Sequence, residues 1–483
     1  MTSHLEEKQV RVLEGDLPVD VRPHSGWSEE RSVWTGHGDE AQPIKFGTTA
    51  VGTYRAEEEY GAERQWSKGR IIGINVARGL ALFGMFSVHT LDPWNEEAER
   101  VTVLWMMTAG NAAALFAVLA GVGIALSTGG SKGLRPERRI NARVQLFVRA
   151  LLILFIGLLS NLWLDPPVFN ILPYYAVLFL LASLFLGVRK RTLCTWALLM
   201  MLAGPIAQYF VRSAEPYERI LSPVPADLIS NPADVLGTLL FTGTYPVTTW
   251  SAYMLVGLAL GRMQLNRIQV QLGLFGFGAF AAVSGWLMSR MAVNFLGGYE
   301  GMLYSEVRIT QEMVEAFLTE GPDEDLPTSS FWWLTVAGPH TNTFFSLLLS
   351  TGVAVSVLGA TFLICRVFPR LLWPLAAAGS MTLTLYVCHM AFLHFYAIGD
   401  YSTDQELNLA LAIQILGVLI ISGLWSLLFR RGPLEWLVGE LSKRIADPRR
   451  KSAETGGALK SGSRGMTGSG WWRHRAVSGR HRM

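Results

Sequence analysis

The stretch "RIIGINVARGLALFGMFSVHTLD", residues 70–92, decides how the chain is read. A helix of about 20 apolar residues matches the hydrocarbon thickness of a bilayer, and this stretch is long and apolar enough to be one. It nevertheless carries Asn75 and Arg78 inside and His89 near its far end. With a period of about 3.6 residues, positions 75, 78, 82, 85 and 89 share one face, so the three polar side chains look toward the same side of the bundle. An arginine within a span costs at least about 2.5 kcal/mol on insertion scales and should therefore face protein, water or an anionic ligand. A bond to a carbonyl or snorkelling toward the near surface would also satisfy Arg78. His89 taken alone reads equally well as an interfacial histidine. Arg78 and His89 stand about 16 Å apart along the axis, from the rise per residue.

The rest of the chain repeats the pattern. Half of its 483 residues are apolar, only 16% are charged, and its mean hydropathy is +0.30, the profile of a polytopic membrane protein rather than of two or three soluble domains. About ten spans are expected, near 71–91, 103–127, 145–164, 172–188, 192–211, 247–263, 270–292, 343–365, 373–397 and 407–429. The fold class is an all-α membrane bundle, residues 70–445, with the lipid bilayer as its first partner. Cys194, Cys365 and Cys388 all fall inside spans and read as small apolar core residues, so neither a disulfide nor a bound metal is expected. Residues 1–69 are polar, without helical periodicity and without the apolar region of a cleavable signal peptide, and residues 446–483 are rich in Gly, Ser and Arg. Both read as disordered tails, the second basic enough to lie near anionic lipid.

Charge orients the bundle. The loops "KGR", "SKGLRPERRINAR" and "RKR", the pairs Arg262 and Arg267, Arg366 and Arg370, and the "RR" at 430 alternate with acidic loops, most clearly 92–99, 212–246, 293–342 and 400–406. Basic residues stay on the cytoplasmic side of short loops, which puts both termini inside and the long loops outside. No nucleic-acid partner is expected. Close helix packing is expected from Ala109, Ala113, Ala117, Gly121 and Ala125, and from Gly73, Ala77 and Ala81, each set spaced by four.

Other polar groups gather at outer span ends. Asn111 lies inside the second span. Pro173, Tyr174 and Tyr175 stand at the mouth of the fourth, Tyr245, Thr249 and Trp250 at the mouth of the sixth, His340 and Asn342 before the eighth, and His389 and His394 toward the end of the ninth. Aromatic belts explain many such Tyr and Trp residues, and ordinary core histidines are common. Arg143 and Arg149 open the third span from the cytoplasmic side, where lipid phosphate or a phosphorylated ligand would suit them. Residues 303–318 read as an amphipathic helix across the outer mouth, a lid or a surface element. The chain carries no Walker loop, dinucleotide fingerprint, zinc spacing or nucleophile elbow. The residues alone lead to a histidine-bearing cavity open to the outside and leave enzyme and transporter both standing.

The blocks "RIIGINVARGLALFGMFSVHTLD", "GNAAALFAVLAGVGIALSTGG", "RVQLFVRALLILFIGLL" and "ILPYYAVLFLLA" resemble the bacterial branch of the heparan-alpha-glucosaminide N-acetyltransferase catalytic-domain family. "GSMTLTLYVCHM" and "RRGPLEWLVGEL" are similar to a related prokaryotic membrane family of no settled function that ends in Gly-Pro-Leu-Glu-Trp. The first span is also similar to that of the acyltransferase-3 membrane family, in which an Arg and a His stand eleven apart as Arg78 and His89 do.

The resemblance implies transmembrane acyl transfer, with acyl-CoA, as acetyl-CoA, for cytoplasmic co-substrate and an extracytoplasmic glycan, glycolipid or other envelope acceptor. It implies a catalytic set of His89, Arg78 and Asn75, with His89 as general base or transient acyl carrier and Arg78 and Arg149 on the donor's phosphates. Asn111, Arg149, Tyr174, Tyr245, His340 and His389 would bind substrate. The family usually has Asp in place of Asn75 and often Asn in place of His89. A transporter or flippase of a metabolite or envelope lipid precursor is the competing class, a non-catalytic scaffold a third, and a homodimer is left open.

Overall fold

A computed structural model describes residues 72–95, 100–214, 218–322, 325–396, 403–429 and 431–447. The expected tail 1–69 and, beyond residue 447, the expected tail 446–483 lie outside the described residues, and with them the termini. The helices in chain order are α1 (Ile72–Thr90), α2 (Val103–Thr108), α3 (Asn111–Ser127), α4 (Arg139–Leu164), α5 (Leu172–Leu184) and α6 (Lys190–Ala214). There follow α7 (Asp227–Ser230), α8 (Pro232–Gly237), α9 (Val247–Gly261), α10 (Ile268–Phe295), α11 (Gly298–Leu303) and α12 (Gln311–Thr319). The last are α13 (Phe344–Val367), α14 (Trp373–Gly379), α15 (Thr382–Tyr396), α16 (Asp404–Leu428) and α17 (Pro433–Ala446). The strands among the described residues are a two-residue pair, Trp94–Asn95 against Arg100–Val101, in the loop after α1.

Every expected span coincides with helix, and the protein is a multi-pass membrane bundle. Seven stretches are long and apolar enough to cross a membrane by themselves: α1, α2 with α3, the stretch from Pro136 through α4, α6, α10, α13 and α16. The expected span 373–397 is instead two helices, α14 and α15, bent by 81°. The spans expected at 172–188 and 247–263 are the shorter α5 and α9, of 13 and 15 residues. The second span divides at Gly110, whose φ of +70° suits glycine alone without strain. The helix expected at 303–318 is also discontinuous: α11 ends at Leu303 and α12 begins at Gln311. Val314 of α12 packs with Met302, Trp333 and Val336 in a small core outside the main one.

Burial sorts the helices into inner and outer. The most apolar stretches of α1 and of α2 with α3 are 61% and 67% buried, against 28% in α6, α10 and α16, whose exposed Leu, Phe and Ile side chains form the lipid face. Thirteen of the fifteen residues of α9 are buried, so it is the central post despite its shortness. It crosses α3 at near backbone contact: a Cβ on Gly257 would lie 2.0 Å from the carbonyl oxygen of Val118, and one on Gly121 would lie 2.2 Å from that of Met254. The four-residue stripe of α3 is therefore an interhelical seam. Of the three cysteines only Cys365 is in the core, and Cys194 and Cys388 are exposed on the bundle. Gly257→Leu is expected to lower the Tm in detergent, the overpacking costing at least about 1–3 kcal/mol. Gly273→Ala, where an added Cβ meets nothing within 4 Å, should leave the Tm within a degree or so of wild type, and equal melting of the two variants would refute the seam.

Candidate functional site

The inner helices α1, α3, α4, α5, α15 and α17 enclose a cavity of about 330 Å³. One end is lined by Arg78, Gly123, Arg149 and Glu435, the other by His89, Thr108, Gly110, Tyr245 and His340, with Tyr175, Phe179 and Tyr386 along the wall. The two residues placed about 16 Å apart on α1 thus stand in one continuous space.

His89 is the end of a buried hydrogen-bonded relay. Its Nδ1 lies 3.1 Å from Nε2 of His389, and Nδ1 of His389 lies 2.6 Å from Oε1 of Gln414 on α16. The Gln414 amide nitrogen in turn donates to the hydroxyl of Thr90, 3.0 Å away, so the relay leaves α1 at His89 and returns to it one residue later. His389, Gln414 and Thr90 are all buried. The ring of His389 lies 4.3 Å from that of Phe86, centroid to centroid and inclined by 26°, and 5.3 Å from that of His89, inclined by 15°. Nε2 of His89 has no hydrogen-bond partner among the described residues, and the side chain lines the cavity.

At the other end, Arg78 and Arg149 make no hydrogen bond or ion pair among the described residues. The Arg78 guanidinium rests against α3, where a Cβ on Gly123 would come within 2.9 Å of it, and Arg149 lies over the ring of Phe179, 5.3 Å from its centroid. The carboxylate nearby, Glu435 of the Gly-Pro-Leu-Glu-Trp segment, seals the break before α15. One oxygen accepts from the backbone N–H of Leu383 at 2.5 Å and of Thr384 at 3.2 Å, the other from the Thr384 hydroxyl at 2.7 Å. These are orphan donors of a helix start, and an anion is favoured there.

His340 reaches the His89 end from a tight loop in which it and Asn342 both have φ of +56°. Asn342 holds that loop, accepting from the indole N–H of Trp250 at 2.8 Å and donating to the carbonyl of His340 at 2.9 Å. Nδ1 of His340 is buried without a partner among the described residues, and the ring stands edge-on to Tyr245, 5.5 Å away.

Of the residues singled out in the sequence, the fold brings Arg78, His89, Arg149, Tyr245 and His340 to the cavity and sets His389 directly behind His89. Asn75, Asn111 and Tyr174 are not among the lining residues. The backbone of Asn75 is pressed against Gly379 of α14, the amide of Asn111 donates to the carbonyl of Met107, and Tyr174 packs edge-on to Tyr245 at 5.5 Å. His394 is exposed at the end of α15. Sequence reasoning missed Gln414, Tyr386, Glu435 and Thr90. Gln414 had a visible signal, being the one amide in the middle of an otherwise apolar span; a polar residue inside a span defaults to a functional or packing role.

Comparison with known proteins bears on the same two ends. Among curated proteins none matches the chain. Residues 70–290 match the family described as heparan-alpha-glucosaminide N-acetyltransferase, catalytic, and residues 325–444 match that described as protein of unknown function (DUF418). Arg78, His89, Arg149 and Tyr245 come from the first region, and His340, His389, Gln414 and Glu435 from the second. Over its first spans the chain is thus similar to the heparan-alpha-glucosaminide N-acetyltransferase catalytic family and, over its last, to the DUF418 family.

Proposed function

We propose that the protein is a transmembrane acyltransferase that moves an acetyl group from cytoplasmic acetyl-CoA to a hydroxyl or amine on an extracytoplasmic glycan, glycolipid or other envelope acceptor. The observation that carries the reading is one cavity with two arginines at one end and an imidazole nitrogen at the other, none of them hydrogen-bonded or ion-paired among the described residues. The basic loops assign the arginine end to the cytoplasm. There Arg78 and Arg149 suit the phosphates of coenzyme A, since guanidinium groups form charge-assisted bonds to phosphate. The extended pantetheine arm is comparable in length to the separation of Arg78 from His89, so a donor held by its phosphates inside could present its thioester near the outer end. His89 would take the acceptor's proton or carry the acyl group transiently. The match to an N-acetyltransferase catalytic family supports the same chemistry.

The test uses sealed inside-out vesicles containing purified protein, with labelled acetyl-CoA outside and an envelope-lipid extract within. Label is expected in the enclosed lipid or glycan. Absence of label over several acyl donors and extracts, with uptake or exchange of a solute instead, would replace the enzyme by a carrier, for which a cavity reaching both ends would serve as well.

A further inference from the structure

We propose that His389 and Gln414 are positioning residues that hold His89 in the tautomer protonated at Nδ1, leaving Nε2 as the free base facing the cavity. This rests on the acyl-transfer reading for its purpose but not for its geometry.

The assignment follows from donor and acceptor bookkeeping along the relay. The Gln414 amide donates its N–H to the Thr90 hydroxyl and so turns its carbonyl oxygen toward His389. An amide oxygen only accepts, so Nδ1 of His389 carries a hydrogen. A neutral imidazole has one donor nitrogen and one acceptor nitrogen, which makes Nε2 of His389 the acceptor for the bond of 3.1 Å from His89. Nδ1 of His89 is then the donor, and its lone pair is on Nε2. The same logic with the amide turned over would protonate Nε2 of His89 and leave it no base at all, so the orientation of one buried amide decides whether this site has a proton acceptor.

The relay runs through an amide and a hydroxyl rather than a carboxylate, and the burial of His389, Gln414 and Thr90 gives the reason. A carboxylate behind the histidine would have to be stripped of water deep in the bundle, a desolvation cost of several kcal/mol. An amide orients the ring without that charge. In the reaction, the acceptor heteroatom forms a bond to the acyl carbonyl carbon as its own hydrogen passes to Nε2 of His89. The C–S bond then breaks, coenzyme A leaves as the thiolate with the electron pair, and it recovers the proton from His89. Throughout, His89 keeps its Nδ1–H bond to His389.

The test is ¹⁵N NMR of the full-length protein in lipid nanodiscs, labelled at histidine, with the His89 signals assigned by their loss in His89→Asn. Protonated and unprotonated ring nitrogens give well-separated shifts. Wild type is expected to show His89 protonated at Nδ1 and bare at Nε2. Gln414→Met should split His89 between tautomers. A wild-type His89 protonated at Nε2, or a tautomer unmoved by Gln414→Met, overturns the proposal. If Gln414→Met fails to assemble, the wild-type spectrum decides alone. No donor or acceptor is present in this experiment, so its outcome is independent of whether label crosses in the vesicle assay.

Discussion

His89→Ala lowers acetyl transfer into sealed vesicles by at least about 10²-fold while acetyl-CoA binding stays within about twofold of wild type. The size follows from what a positioned proton acceptor contributes, about 10² to 10⁴ in rate, which corresponds to roughly 2.7–5.4 kcal/mol of barrier. The selectivity for turnover follows from placement: His89 is at the end of the cavity away from Arg78 and Arg149, so its loss removes nothing that touches the donor's phosphates. The truncation also leaves His389 with an unfilled acceptor nitrogen, costing about 1–3 kcal/mol of stability. The comparison must therefore use protein shown to be folded by its Tm. Transfer by folded His89→Ala at the wild-type rate would remove the imidazole from the chemistry and leave the enzyme without this base.

Arg78→Ala does the converse, weakening equilibrium binding of acetyl-CoA in nanodiscs by about 10- to 100-fold. A hydrogen bond to a charged partner is worth about 1.5–3 kcal/mol, and Arg78 makes none within the described protein that would compete for its guanidinium. Arg78→Lys should recover only part of the loss, because a lysine keeps the charge but not the planar fork that engages phosphate through two bonds. Unchanged affinity in Arg78→Ala would put the donor elsewhere and favour the carrier reading, in which the arginine serves another anion or the packing of α3.

The spans were legible because each had to be apolar for a hydrocarbon length and bordered by charge, and that signal is local. What interrupts them was not. The division at Gly110 and the 81° bend before Thr382 sit inside stretches whose hydropathy alone satisfies a single helix. Their causes lie elsewhere in the chain, in the loop at His340 and in the carboxylate of Glu435. The site divided the same way. Arg78 and His89 were readable as partners because they are eleven residues apart on one helix. His89 and His389 are three hundred apart, and no periodicity links them. Tyr174 and Tyr175 show the limit of angular reasoning: neighbours on a helix point about 100° apart, and it is Tyr175 that lines the cavity, its buried hydroxyl without a partner among the described residues. Asn75 fails for a related reason, its face of α1 being covered by α14, a helix whose direction the sequence does not disclose.

Glu435 lies only twelve residues before the last described position, on the 14-residue helix α17. It nonetheless ties down the break before α15, the helix that carries His389, and helps close the cavity beside Arg78. The two family regions are therefore not modules in any physical sense, since neither holds a complete wall of the site. A stop codon just upstream of Glu435 would yield a protein with every spanning helix inserted and an unsealed floor. In a genetic screen such an allele should behave as a null while still reaching the membrane, which sets α17 apart from a dispensable tail.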